Sequence, residues 1–441
     1  MVYRGKPSKA CLQCRKRRLR DESHAAKART LAKTSKLQVP ATVAISLKAR
    51  ANSAFFTYYV SGFSQSYDVL EPLLLESSAN SILRKTVDAV SLAFFSTRFC
   101  SSQGMRNARA EYISALSLLN ATLQTAGGAT SDSALVSIIL LDLFEKITDL
   151  RPRSTGSWMM HVNGALAVVK IRGLPQLESK SGLRISSRIF QNSLISCIAA
   201  NAAIPLGLVE LRAHLERFVN PTDPKWLMSG LCVEYANLQS VIQSESLTSA
   251  EVARLLVKLD LKFVDLEKYT SSIWDQKPSF PRQQTHLTLE DYCHVYPDHV
   301  LTQQRNGTRI IRILLNDLLR KMMPPPPISD LDTNYATAGT IDSLAEEICI
   351  SATQASLGAG GSHASDIDRI RCFTLIFPLY VAGTFASSTS GVKPLVLKQL
   401  SSLSDVMGLQ HAAMIADVLR KGRKIDTWSV YALLGSYAFA A

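Results

Sequence analysis

The chain has 441 residues, 46% of them hydrophobic and 19% charged, with 21 Gly, 17 Pro and 8 Cys. That composition supports a sizeable core and excludes a collagen-like, disulfide-scaffolded or wholly disordered protein. The formal charge of +13 is uneven: residues 1–50 hold 14 Lys and Arg against Asp21 and Glu22, whereas the other 391 carry 35 basic and 34 acidic side chains. A basic arm on a near-neutral body is the electrostatic footprint of a terminus that meets polyanions, most often nucleic acid.

Within the arm, Cys11-Leu12-Gln13-Cys14 runs directly into Arg15-Lys16-Arg17-Arg18-Leu19-Arg20. Two thiolates at this spacing can turn onto one metal, and the adjoining cations lower the thiol pKa and can meet phosphates. Zinc needs four ligands, so besides misfolding or metal binding completed by a partner the residues leave two arrangements open. One is a basic arm with two free thiols; the other is a mononuclear site that adds Asp21 and His24. A thioredoxin-like redox pair would need a βαβ context that is missing. The basic run also fits a nuclear import signal, which needs no folded module. From Asp21 to Arg50 the chain is rich in Ala, Lys, Ser and Thr, lacks aromatics and shows no heptad, so a poorly ordered linker is expected.

From about residue 80 the periodicity predicts helices almost throughout and requires no sheet. Ile82 to Phe95 forms one apolar stretch, and Tyr112, Leu116, Leu119 and Leu123 form a second that leaves Arg106, Arg109 and Glu111 to solvent. A third helix opens on the cap candidates Ser131-Asp132-Ser133, and its nearly all-round apolar character places it centrally. Further helices are expected at Trp158–Arg172, Arg184–Ala203, Trp226–Ser244, Ser249–Tyr269 and His299–Met323. The run Pro324-Pro325-Pro326-Pro327 ends the last of these and predicts a crossing loop over 324–340. Helices at Ile341–Leu357, Ile367–Ala386, Pro394–Val406 and His411–Arg420 complete the series. Gly358-Ala359-Gly360-Gly361 follows no strand and reads as a turn rather than a phosphate cradle.

Six cysteines (Cys100, Cys197, Cys232, Cys293, Cys349, Cys372) lie singly among apolar residues, the usage of reduced core thiols. The uncharged stretches Ile189–Val209 and Cys372–Val392 are interrupted by polar residues and Pro, and read as buried helices rather than membrane spans. His294, Asp298 and His299 have a loose metal-ligand spacing that is not favoured as a metal site, and His161 could serve as a base but a core histidine is the favoured reading. No nucleophile elbow, zincin or P-loop motif is present, so the chain is expected not to be an enzyme.

The Ala10 to Arg20 segment resembles the first half of the fungal Zn(2)-Cys(6) binuclear cluster of transcription factors, in which Cys-x-x-Cys and six mostly basic residues lead to a third Cys. Position 21 is Asp21, and no further Cys occurs before Cys100, so four of the six cluster cysteines are absent. The resemblance implies zinc in intact relatives and none bound by this chain. It makes Arg15 and Arg20 phosphate contacts and Arg17 and Arg18 base-edge candidates, with Lys16 in the same DNA-binding run. Without a cluster only weak, salt-sensitive, largely nonspecific DNA binding is expected.

The body resembles a fungal-specific transcription factor regulatory domain. The similarity is carried by Ala54 to Val60, by Asn107 to Tyr112 with Ala115-Leu116, by Asp132 to Glu145, by Trp158 to Ala165, and by Tyr296-Pro297-Asp298 before Arg309 to Arg312. It implies an all-α multi-helix bundle behind a basic arm. The expected organisation is a truncated cluster half motif at 1–21, a basic linker at 22–50 and a helical regulatory domain at 51–441. It further implies a nuclear transcriptional regulator that meets DNA and other transcription proteins, forms a homodimer and touches no membrane. The rival expectation is a helical interaction protein that does not bind DNA and carries a relic arm.

Overall fold

The computed structural model describes residues 45–64, 67–78, 80–99, 101–125, 127–148, 155–274, 299–322, 331–358, 365–423 and 425–434. These residues form helices and their connections, without a strand among them. The compact unit starts at Leu47, earlier than the expected 51. Helix α1, Leu47–Ala54, therefore includes the last positions assigned to the linker. The cause is tertiary: Lys48 Nζ lies 2.9 Å from Asp88 and 2.7 Å from Glu111, and Asn52 donates to Asp88 at 2.9 Å.

The chain continues as a π-helical segment, Phe55–Ser64. Its aromatics recur every fourth position, so Phe55 stacks on Tyr59 with ring centroids 5.3 Å apart, and Tyr59 leans on Phe63 at 5.8 Å. After α2, Leu70–Leu75, come α3, Ile82–Arg98, and α4, Ser102–Leu123. Ser81 and Ser101 cap the last two, each side-chain oxygen accepting a backbone N–H of the first turn. Helix α4 buries Gly104, Ala108 and Ala115 against α3, and exposes Arg106 and Arg109 as the periodicity predicts. Glu111 is not left to solvent; it bridges Lys48 and Lys85.

Helix α5, Asp132–Thr148, is capped by Ser131, which accepts from Ala134 N at 3.2 Å. It is buried on most of its circumference and packs against α3, α4 and the next two helices, which bears out its predicted central place. Those helices are α6, Thr155–Arg172, ended by Gly173 at φ 83°, and α7, Lys180–Ala199. The predicted helix to Ala203 stops short because Asn201 turns left-handed at φ 49°. Pro205 stands at the start of α8, Leu206–Glu216, where a missing N–H costs nothing.

Helix α9, Pro224–Gln243, is capped by Asp223, and α10, Ser249–Trp274, by a reciprocal pair in which Thr248 N donates to Glu251 and Glu251 N to Thr248 Oγ1. Helix α11, His299–Met322, joins its neighbours by ion pairs. Arg312 reaches Asp260 at 2.9 Å and Glu267 at 2.5 Å on α10, while Arg309 reaches Glu347 at 2.9 Å on α12, Leu331–Gly358.

The loop predicted over 324–340 is corrected in its second half, since α12 already runs from Leu331. Local residues such as Asn334 and Gly339 disfavour helix, but burial of Thr337 and Ile341 overrides that propensity. The predicted Ile367–Ala386 helix is two, α13, Asp366–Phe373, and α14, Ile376–Phe385. Pro378 has no N–H to return to Thr374, and the break falls there. The chain ends with α15, Val392–Met407, α16, Gln410–Arg420, and α17, Thr427–Leu434, the last of which the periodicity did not reveal.

One apolar cluster runs from Ala51 to Leu434, so the early and late helices share a core. Arg98 of α3 pairs with Asp366 at the head of α13, and His299 Nε2 lies 3.0 Å from the Phe63 carbonyl oxygen. Among the described residues no helix is long and apolar enough to cross a membrane. Helix α14, the heart of one apolar stretch, is buried from Ile376 to Gly383.

Candidate functional site

Every arm residue singled out by the sequence, from Cys11, Cys14, Arg15, Lys16, Arg17, Arg18 and Arg20 to Asp21 and His24, lies outside the described residues. So do Cys100, Cys293, His294 and Asp298, and the side chains of Trp158 and His161. Among the described residues no three His, Cys, Asp or Glu side chains converge as metal ligands. His299 faces the Phe63 ring at 5.5 Å, a packing position at the start of α11. His214 lies 3.9 Å from Glu178, and His411 meets the Phe373 ring edge-on, its pKa lowered by burial.

The four described cysteines, Cys197, Cys232, Cys349 and Cys372, are free and buried, as expected of core thiols. Burial pushes Cys197 up to about 11 and the other three to about 12. Buried thiols with so little thiolate are poor nucleophiles and poor metal ligands.

Among the described motif residues that carry the resemblance, those of α4 and α5 form scaffold. Tyr112 donates to Glu145 Oε1 at 2.6 Å and stacks on Phe144 with centroids 4.3 Å apart, joining α4 to α5. Burial pushes the Glu111 carboxyl up, but Lys48 and Lys85 outweigh it and hold the group below its ordinary range.

Among the described residues, a cleft of about 320 Å³ lies between α7 and the start of α9. On α7, Arg184, Ser187, Arg188 and Gln191 line it at helical spacing, so one face supplies all four. The Asp223 cap and Pro224 at the first helical position set the turn that brings in Lys225 and Trp226. Arg188 is buried beneath the Tyr67 ring, 4.8 Å from its centroid. Arg212 of α8 stacks 4.1 Å over Trp226 and is held there by a 2.7 Å hydrogen bond to Ser229. Burial first, and Arg188 second, push the Lys225 amine down to about 8, with Asp223 opposing. The one-face spacing on α7 and the Asp-Pro-Lys-Trp start of α9 were the available sequence signals for this cleft.

No curated protein and no solved structure matches the chain. The fungal-specific transcription factor domain matches residues 54–298, from the end of α1 to the threshold of α11. That family is non-enzymatic in general. On this match over more than half its length, the chain belongs to the fungal-specific transcription factor domain family.

Proposed function

We propose that this chain is a nuclear transcriptional regulator whose helical body is a regulatory and interaction domain and whose DNA contact is confined to Arg15, Lys16, Arg17, Arg18 and Arg20. The observation that carries the reading is the family match over 54–298 behind a Cys-x-x-Cys and basic run. The zinc cluster is truncated after Cys14, since Asp21 stands where a third ligand belongs. Two thiolates leave half a tetrahedral site to water, so the arm holds no zinc, and a cluster module without metal has no core to close around. Charge survives this loss and register does not. DNA binding is therefore weak, steeply salt-dependent and nearly indifferent to sequence. The body catalyses no reaction, and its partners are other transcription proteins and a second copy of the chain.

A second reading rests on the same missing ligands: a helical interaction protein that makes no DNA contact and carries the arm as a relic. Mobility shifts on a CGG-repeat duplex and a scrambled duplex, at two salt concentrations, separate the readings. Weak, equal, salt-sensitive shifts of both duplexes support the first; no shift at low salt supports the second. A CGG preference that vanishes in Arg18→Ala would show that an ordered DNA-reading module forms, and would overturn the truncated-cluster account.

A further inference from the structure

We infer that a single buried water molecule is bound where α11 meets the α13–α14 break, held in a small cavity by Gln303, Asn306 and Thr374. This goes beyond the transcriptional reading and holds whether or not the arm touches DNA.

Placement is the first argument. Gln303, Asn306, Gly307 and Ile310 line the cavity from one face of α11, and Thr374, Leu375 and Pro378 line it from the other wall. At that wall Pro378 has no N–H to give the Thr374 carbonyl, and the chain passes from α13 into α14. Space is the second. The cavity measures about 10 Å³, room for one water and for nothing larger.

Unmet polar atoms are the third argument. Gln303 Oε1, Gln303 Nε2 and Asn306 Nδ2 are shut off from bulk solvent and find no hydrogen-bond partner among the described residues. Asn306 is only 1% exposed. Its amide is not free to turn, because Arg309 Nη1 donates to Asn306 Oδ1 at 3.0 Å and Ser351 Oγ of α12 lies 3.0 Å from the same oxygen. Nδ2 therefore remains the unmet donor. The buried Thr374 hydroxyl donates to the Arg371 carbonyl at 2.7 Å and keeps lone pairs with which to accept. Buried amide atoms left unbonded are costly, and an internal water is the usual way to satisfy them.

The mixture of groups selects the ligand. Water can accept from Asn306 Nδ2 and donate to Gln303 Oε1 and Thr374 Oγ1, about the three bonds a buried water makes. The Gln303 amide has neither end tied, so it can turn its oxygen or its nitrogen to the water. A cation would face the Asn306 N–H, with the Arg309 guanidinium on the same amide. A carboxylate or phosphate is larger than the space. Arg309 also pairs with Glu347 on α12, so the water carries one polar network from α12 through α11 to the α13–α14 junction.

A crystal structure of the full chain, at a resolution that shows ordered water, tests the inference. One peak is expected in the cavity at about 2.7–3.2 Å from Asn306 Nδ2, from one end of the Gln303 amide and from Thr374 Oγ1. Gln303→Met keeps the side-chain length but offers no amide donor or acceptor, so the peak should be lost while Asn306 stays in place. In solution, magnetic relaxation dispersion of the water oxygen should count one long-lived water fewer in Gln303→Met than in wild type. Circular dichroism melts establish that the variant folds, and the wild-type map decides the question by itself if it does not. No wild-type peak, a peak retained in Gln303→Met, or equal dispersion of the two proteins would each overturn the assignment. So would an anomalous peak in the cavity after a rubidium bromide soak, which would make the ligand an ion.

Discussion

Tyr112 on α4 donates its phenolic hydrogen to Glu145 on α5 at 2.6 Å, while its ring stacks on Phe144 one position earlier. The two residues belong to separate sequence motifs that carry the family resemblance, and in the fold they are one contact. An aromatic face and a charge-assisted hydrogen bond at the same place fix both the spacing and the rotation of the two helices. Tyr112→Phe keeps the stack and leaves Glu145 one donor short. A loss of about 1–2 kcal/mol is expected in urea unfolding, with the slope unchanged.

Arg312 holds Asp260 and Glu267 together on α10, and all three side chains are mostly shielded from water. Arg312→Met retains the apolar stem but takes from both carboxylates the cation that bridges them. The expected cost is about 3 kcal/mol by chemical denaturation, and Asp260→Asn in the same background should recover part of it.

The four buried thiols titrate upward from an ordinary value near 9, Cys197 to about 11 and Cys232, Cys349 and Cys372 to about 12. Their folded-state pKa is raised by burial, so the unfolded chain loses protons first. Their contribution to stability is complete below about 9 and is lost as pH climbs from there toward about 12. A disulfide reagent at pH 8 should leave all four unmodified until denaturant is added; mass spectrometry of the native protein that finds any of them labelled would contradict their burial.

Lys225 has the opposite sign. Its folded pKa, about 8, lies below the ordinary lysine value, so the charged amine penalises the fold most fully below about 8, and stability is regained as pH rises through 8 toward 10.5. Lys225→Met should therefore melt higher than wild type at pH 7, with the gap closing by pH 10. Thermal melts at the two pH values read this directly.

For the arm, cobalt is the probe of choice because tetrahedral thiolate coordination absorbs strongly in the visible. Full-length protein should give no such band, since Cys11 and Cys14 supply only two ligands. A strong band lost in both Cys11→Ser and His24→Ala would instead establish a mononuclear site built with Asp21 and His24.

Sequence by itself determined the all-α class and most helix positions. Periodicity of apolar residues records which face must leave water, and serine, aspartate and glycine near the ends record where backbone groups need side-chain caps or left-handed turns. Thus Ser131 and Gly173 were legible as boundaries, and the all-round apolar stretch in α5 as a central helix. Tertiary structure alone decided matters that depend on residues distant in the chain. Lys48 joins the body because Asp88 and Glu111 await it, and 331–340 is helical because Thr337 and Ile341 find a buried place. The cleft belongs to this second kind. In chain order Arg184 and Arg188 show only a shared helix face and Lys225 and Trp226 only a helix start, and their chemistry arises only when α7 and the start of α9 are brought together, where burial and like charge change what each group can do.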